Sequence, residues 1–376
     1  MRISSVRNER GIALVAAIVA LVVIGAIVAG TFFISTLEQK TAENSVDASQ
    51  AYQAAESGIV ANTAGWDTGN NSMATDASVS LGTTSLGGGS SYTVTLSRLT
   101  SSLFLLKSAG TKGTATQTLA SVLRLAVVNP SVGAAVTAKG AVNVGGNATI
   151  DGHNTNPPGW SGCGTGSDKG GIRTNSTVST NGNPTISGSP AKIQNDSSVN
   201  DALFQGPFNQ LKAMANMSLP GSSGANNYTV YNGMAPSTTG SPLKCNRTDV
   251  NNWGEPLRSG GSYVSQCTGY APIIYFSGNA KVTNGRGQGI LLVDGDLSIA
   301  GNFSFTGLVI AMGQVKTGNG TSNVNGAIMA NNADIGDQTN FSGTPVVSYS
   351  KCAVDYVLNA GAVARPIALR AWSQVY

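Results

Sequence analysis

The sequence predicts an α+β protein: a long N-terminal helix and a small antiparallel sheet, followed by a large all-β, β-helix-like domain. Three observations support this. An uncharged run of 23 residues follows a short basic leader, apolar residues alternate between residues 92 and 128, and glycine recurs at a fixed step near residue 300. The predicted segments are a leader (1–11), a helix (12–65), a sheet region (66–129) and a β domain (130–376), with an insertion near 200–270.

The run Ile12–Ile34 is long enough to cross a membrane as a helix. At 1.5 Å per residue it spans about 35 Å, against about 30 Å for the hydrocarbon core of a bilayer. Arginines precede the run and a net acidic segment follows it, so the positive-inside rule places the N-terminus in the cytoplasm. No small-residue cleavage site ends the run, which disfavours a secretory signal. The pattern continues as an amphipathic helix to about Ile59, with Gly58 near its end.

These residues carry a family resemblance. The stretch "ERG", then "IALVAAIV" and "STLEQKTAENSVDASQAYQAAESGI", resembles the N-terminal region of the PilX-like minor pilins of type IV pili. The resemblance covers about the first 60 residues. It implies cleavage by prepilin peptidase between Gly11 and Ile12 and methylation of Ile12. It also implies a single-pass stage in the inner membrane, with the rest of the chain in the periplasm, and then assembly with other pilins through the helix into an extracellular pilus.

Ala16 departs from the pattern of the major pilins, which the resemblance implies should carry Glu at mature position five. A carboxylate in lipid is costly unless it is paired, so its absence removes both that cost and a docking contact to a neighbouring subunit. In pilin systems, subunits without this Glu are associated with the tip or with an initiating complex. We therefore expect a low-abundance or tip-proximal subunit. The alternative is that PilX-like proteins simply tolerate the loss.

Three alternating segments predict a sheet that packs one face on the helix. They are residues 92–99, 102–111 and 115–128, and turn signals separate them. The preceding stretch, 66–90, is rich in turn residues and predicts a loop with one short strand. Pro130 marks the expected boundary with the β domain.

Glycines at 289, 295, 301, 307 and 313 follow a strict six-residue step. Short strands with regular corner glycines are typical of a parallel β-helix, whereas a chain of hairpins would prefer Asn-Gly and Asp-Gly turns. Each six-residue unit carries two apolar residues that we expect to point inward: Leu291 and Val293, Leu297 and Ile299, Phe303 and Phe305, Val309 and Ala311.

Four cysteines, Cys163, Cys245, Cys267 and Cys352, all lie in the exported half. None forms a C-x-x-C pair, so zinc binding and thioredoxin-like chemistry are disfavoured. An even number in an oxidising compartment favours two disulfides, with three pairings open. The pair that closes the 21-residue loop between Cys245 and Cys267 is favoured, which leaves Cys163 with Cys352.

The sequence predicts neither a catalytic site nor a cofactor. It has one histidine, and the weak candidate for a metal or acid pair is Asp294 with Asp296. The net charge of +4 has no clustered source, so no nucleic-acid partner is expected. We expect a non-enzymatic minor pilin whose β domain serves assembly priming or adhesion to a surface or glycan ligand. The alternatives are a type II secretion pseudopilin and a membrane-anchored, carbohydrate-active β-helix protein.

Overall fold

The computed structural model describes residues 10–126, 128–318, 320–336, 343–367 and 372–375. These residues form two compact units. Unit 1 draws on Met1–Gly65, Asp76–Leu123 and Pro366–Tyr376, and unit 2 on Trp66–Thr75 and Arg124–Arg365. The segment that follows the helix thus belongs to unit 2, and unit 2 takes up the chain again at Arg124, before Pro130.

Unit 1 combines one helix with an antiparallel sheet. Its elements are α1 (Arg10–Ala64), β1 (Ser78–Gly87), β2 (Ser90–Arg98), β3 (Leu103–Lys112) and β4 (Ala115–Ala126). The strands lie in the order β1–β2–β3–β4, and the β1–β2 and β2–β3 pairs are antiparallel.

Strand β1 is longer than the short strand predicted in this region. All ten of its residues are exposed, and its apolar residues Val79, Leu81 and Leu86 do not keep the continuous alternation by which β2 and β3 are recognised. Its pairing with β2 instead begins at a turn where Gly87, Gly88 and Gly89 all have positive φ. Hydroxyl–hydroxyl contacts such as that between Thr83 and Thr93, at 2.8 Å, join the two strands.

Unit 2 consists mainly of short strands. Its elements are β5 (Ala134–Ala138), β6 (Val142–Val144), β7 (Thr149–Asp151), β8 (Gly170–Thr174), β9 (Val178–Thr180), β10 (Thr185–Ser187), β11 (Lys192–Ile193), α2 (Asp201–Lys212), β12 (Met217–Leu219), β13 (Thr229–Met234), β14 (Thr238–Thr239), β15 (Lys244–Cys245), β16 (Ile273–Phe276), β17 (Ala280–Val293), β18 (Leu297–Thr317), β19 (Asn323–Ile335), β20 (Val346–Tyr349) and α3 (Lys351–Ala360). The chain then runs through β21 (Val363–Pro366) to β22 (Trp372–Val375), which pairs antiparallel with β4 in unit 1.

The strands of unit 2, apart from the β14–β15 hairpin, pair in parallel and stack as successive coils, which we call the coil stack. Gly289 pairs with Gly307 and Gly307 with Gly326. A Cβ atom at Gly307 would lie 2.0 Å from the carbonyl oxygen of Gly289, and one at Gly326 would lie 1.8 Å from that of Gly307. All three glycines have positive φ, so close stacking and backbone conformation both exclude a side chain at this corner.

The core of the coil stack contains all eight residues predicted to point inward. Each is fully buried: Leu291, Val293, Leu297, Ile299, Phe303, Phe305, Val309 and Ala311. The opposite face of the outer units is also apolar, and a second cluster that includes residues of α2 and α3 buries it, with Ile290 and Leu308 among its members. The structure therefore uses both faces of these strands.

The coil stack begins in its middle. Val136 of β5 pairs with Ile328 of β19 on one side and with Ile172 of β8 on the other. From β5 the chain proceeds coil by coil to β11, and α2 follows. It resumes at β12, which pairs with β16, and returns through β17 and β18 to β19. Adjacent coils at the centre therefore come from distant parts of the sequence.

The predicted insertion near 200–270 is only partly an insertion. Strands β12 and β13 within it pair in parallel with β16 and β17 and so belong to the coil stack. Their few alternating residues lack the glycine step by which the other coils are recognised. The excursion that remains, residues 235–272, contains the β14–β15 hairpin and the Cys245–Cys267 disulfide.

Candidate functional site

The first half of α1 presents apolar side chains on all sides. Leu14, Leu21 and Phe32 are 66%, 70% and 69% exposed, and no charged residue lies between 14 and 34. The helix is long and apolar enough to cross a membrane. The hydroxyls of Thr31 and Thr36 donate to carbonyls three residues earlier, each at 2.8 Å, so they need no partner outside the helix. This surface suits lipid or other apolar helices.

The second half of α1 packs on β2 and β3 through small residues. Ala51, Ala54, Ala55 and Ile59 lie on one helical face and are at most 2% exposed. The intervening residues of "AYQAAESG" include the exposed Tyr52. The motif that suggested the family resemblance therefore has a packing role in unit 1.

Glycines set the distance between helix and sheet. A Cβ atom at Gly110 of β3 would lie 2.1 Å from the carbonyl oxygen of Ala51 and 2.3 Å from the nitrogen of Ala55. One at Gly58 of α1 would lie 2.2 Å from the hydroxyl of Ser108. Gly58 is thus an interior contact of α1, and the helix continues beyond it to Ala64. Sequence reasoning missed Gly110, although an isolated glycine in a strand pattern is a sign of close backbone approach.

The predicted processing site lies at the start of α1. The backbone of Gly11 and Ile12 is helical, while leader residues 1–9 lie outside the described residues. Ala16 is exposed on α1, in the apolar half. A methyl group there leaves this part of the surface uncharged.

Asp294 and Asp296 have separate partners. One Asp294 oxygen lies 3.3 Å from Nζ of Lys212 and accepts a hydrogen bond from the Tyr275 hydroxyl at 3.1 Å. Asp296 accepts a hydrogen bond from the backbone N–H of Gln314 at 2.8 Å, and this bond joins one coil to the next. Each carboxylate is therefore occupied in holding strands or α2. Among the residues that the structure describes, no group of three or more His, Cys, Asp and Glu is placed to hold a metal ion.

The four cysteines form two disulfides. Cys245 pairs with Cys267, 22 positions apart, and Cys163 pairs with Cys352, 189 positions apart. The first closes the excursion 235–272. The second joins the loop between β7 and β8 to the first turn of α3, so it connects an early coil to a segment late in the sequence.

A buried ion pair organises the excursion. Glu255 is fully buried and accepts hydrogen bonds from Nε and Nη2 of Arg286, both at 2.9 Å. Two backbone N–H groups, those of Val264 and Leu257, donate to the same carboxylate at 2.8 and 3.1 Å. The neighbouring Trp253 is fully buried in the core of the coil stack. The stretch "NWGEP" is therefore a structural element of unit 2.

Gln288 and Arg258 extend this network. The Gln288 amide is fully buried and donates to the carbonyls of Thr268 and Tyr270 at 2.8 and 2.9 Å. Its oxygen accepts from Arg258 at 3.2 Å, and that guanidinium lies 3.9 Å from the ring centre of Trp160. Burial lowers the pKa of Arg258. The signal that could have revealed this network is the group of charged residues in an otherwise uncharged tract, "GEPLR" and "GRGQG".

Residues 10–60 match the family model described as PilX N-terminal. This segment of the chain is similar to the N-terminal segment of PilX-type pilins. It coincides with α1 almost to its end, so the matched residues are those that form the bare apolar half and the contact with the sheet. The resemblance to PilX-like type IV minor pilins is confirmed for this segment.

A solved structure, the competence-associated pilin ComZ from Thermus thermophilus, is also similar, with 13% sequence identity and a TM-score of 0.26. The similarity covers 88% of this chain and 97% of that one. At this TM-score it supports no conclusion about the coil stack. No curated protein matches the chain.

Proposed function

We propose that this protein is a minor pilin of a type IV pilus. Prepilin peptidase cuts it after Gly11, and Ile12 becomes the methylated first residue. The prepilin is held in the inner membrane by α1, with its N-terminus in the cytoplasm, and is then assembled into or at the tip of the filament. The coil stack is displayed for assembly priming or for adhesion to a surface or glycan ligand, without enzymatic turnover.

The observation that carries this proposal is the division of α1 into a bare half and an anchored half. A single continuous helix of 55 residues exposes 14–34 and buries one face of 51–59. An exposed apolar surface of this size must be covered, by lipid before assembly and by other apolar helices after it. Because the surface carries no charge, moving from lipid into a helix bundle costs no desolvation of an ion.

N-terminal sequencing of protein from sheared surface filaments tests the proposal. We expect the mature chain to begin at methylated Ile12. Gly11→Leu should leave the leader in place, and Gly30→Leu, at a helical site with no atom within 4 Å of the added Cβ, is the matched control. A mature protein that still begins at Met1 in cells with active prepilin peptidase would rule the proposal out.

A type II secretion pseudopilin would share the leader and the helix. Deletion of the gene distinguishes the two: loss of twitching motility indicates the pilus, and loss of secretion indicates the secretion system. The carbohydrate-active alternative depends on Asp294 and Asp296. A glycan-degrading activity that Asp294→Asn with Asp296→Asn leaves unchanged would remove the support for this alternative; loss of such an activity in a variant that is still folded would favour the enzyme.

A further inference from the structure

The ten residues Trp66–Thr75, which we call the strap, follow α1 directly in sequence but belong to unit 2. The strap contains a short 3₁₀ helix, Thr68–Ser72, and leads into β1 of unit 1. The chain thus leaves α1, enters unit 2, passes through the sheet Asp76–Leu123, and enters unit 2 a second time at Arg124.

Asn71 fixes the strap to the end of α3. Its side chain is nearly buried, and its amide nitrogen lies 3.0, 2.9 and 2.7 Å from the carbonyl oxygens of Asn359, Ala360 and Ala362. Asn359 and Ala360 belong to the last turn of α3 and Ala362 follows it, and carbonyls at a helix C-terminus lack the N–H donors that the helix interior supplies. The amide oxygen of Asn71 accepts a hydrogen bond from the Trp66 indole at 2.9 Å. The Asn71 side chain therefore joins the first residue of the strap, Trp66, to the end of α3.

Arg247 provides a second attachment. Its guanidinium pairs with the carboxylate of Asp67 and lies 5.5 Å from the ring centre of Tyr270. Gly69 lies against the same guanidinium, since a Cβ atom there would be 2.1 Å from Nη2. Burial raises the pKa of Tyr270 to about 12. Arg247 follows Cys245 by two residues, so the disulfide of the excursion holds this attachment in place.

We propose that the strap is a mechanical tether that carries tension from the coil stack into α1 before that tension reaches the first strand of the antiparallel sheet. The connectivity supports this because the strap lies between α1 and β1 in sequence and is fixed to unit 2, while the chain joins the sheet to unit 2 again at Arg124 and after Arg365. Only Gly65 separates α1 from the strap. The inference relies on the proposed function solely for the source of the load, a pilus subunit pulled through its displayed domain.

Strand β1 shows why such a tether matters. If the strap detached, tension would enter the sheet at Ser78, the first residue of β1. This strand lies at the edge of the sheet, and all ten of its residues are exposed. An edge strand with no buried side chain is held by its hydrogen bonds to β2 and little else, so it would be the first to peel away. The strap takes the load before it reaches this strand.

Single-molecule force measurements on the full chain in detergent micelles test the tether. Azide-bearing residues at Ala61 of α1 and Asn302 of β18, both exposed, attach the handles. Strap release should appear first, as a short step of about 35 Å for ten residues. A longer step should follow, about 170 Å for the 48 residues of the sheet, at roughly 3.5 Å per residue. A first event of the longer length, with no short step before it, would overturn the proposal.

Variants identify the contacts that bear the load. Asn71→Ala should shorten the lifetime of the strap at constant force by roughly tenfold or more, because it leaves buried carbonyls without a donor. Arg247→Gln should act in the same direction, and Asn70→Ala, one residue away in the strap, should leave the lifetime unchanged. Hydrogen exchange of the coil stack verifies that each variant is folded. An unchanged lifetime in folded Asn71→Ala and Arg247→Gln would refute the tether, whatever N-terminus the mature protein has.

Discussion

Replacing Gly110 with alanine tests how closely α1 lies on the sheet. The added methyl would lie 2.1 Å from the Ala51 carbonyl oxygen, whereas ordinary contact begins at 3.4 Å, so the helix must move by 1.3 Å (3.4 minus 2.1). The obstacle is helix backbone, which has no rotamer to change. We therefore expect a loss of about 3 kcal/mol, at the upper end of the range for overpacked cores. The partly separated helix would also lose the burial of Ile59.

Hydrogen exchange of the α1 amides between residues 51 and 59, in full-length protein in detergent micelles, measures this loss. A change of about 3 kcal/mol corresponds to exchange faster by roughly a hundredfold. The amides of the coil stack should not change, because unit 2 has its own core. Gly206→Ala in α2, where no atom lies within 4 Å of the added Cβ, is the control and should be neutral or slightly stabilising. Unchanged exchange in Gly110→Ala would refute the close contact.

Three further substitutions address the coil stack. Gly326→Ala should destabilise unit 2 by about 3 kcal/mol or more in denaturant, because its Cβ would lie 1.8 Å from the Gly307 carbonyl oxygen and its φ is positive. Glu255→Gln should cost about 2–3 kcal/mol in the same assay, since the half-buried Arg286 loses the counter-charge of a fully buried carboxylate. Hydrogen bonds from Ser198 and from Arg173 lower the pKa of Asp196 to about 2. Their stabilising effect is present above the ordinary value of 3.8 and is lost as pH falls toward 2, so Asp196→Asn should be less stable than wild type at pH 6 and equal to it at pH 2.

Matched variants separate these effects from general damage. Gly318→Ala, where the added Cβ meets no atom within 4 Å, should leave the denaturation midpoint unchanged. Asp201→Asn, at an exposed ion pair with Lys139, should cost little compared with Glu255→Gln. If Gly318→Ala and Gly326→Ala were equally stable, the close stacking of the corner glycines would be wrong. A constant difference between Asp196→Asn and wild type from pH 6 to pH 2 would contradict the assigned pKa.

Features with a strong period could be predicted from the sequence. Three six-residue glycine steps make up the 18 positions that separate Gly289 from its partner Gly307, and the apolar pairs in each unit are buried as expected. The uncharged run and "AYQAAESG" likewise predicted α1. In each case one physical requirement repeats along the chain: either glycine is needed where backbones stack closely, or apolar side chains are needed on a surface that is shielded from water.

Features made by single long-range contacts could not be predicted. The strap depends on Asn71 meeting carbonyls nearly 290 positions away, and nothing in "TGNNS" distinguishes it from an ordinary turn. The place of β5 in the middle of the stack depends on which coil meets it, and local periodicity is the same for every coil. The length of strand β1 was underestimated because none of its side chains is buried, and only its backbone pairing with β2 marks it as a strand.

The central position of β5 has a consequence for the order in which the protein folds. Val136 pairs with Ile328, 192 positions later (328 − 136), so the coils made first expose an unpaired strand edge until β19 has been synthesised. Contacts of such long range form slowly, and an open edge can pair with other chains in the meantime. A cell that makes this protein must therefore protect a half-built stack, and folding is complete only when the late coils close onto the early ones.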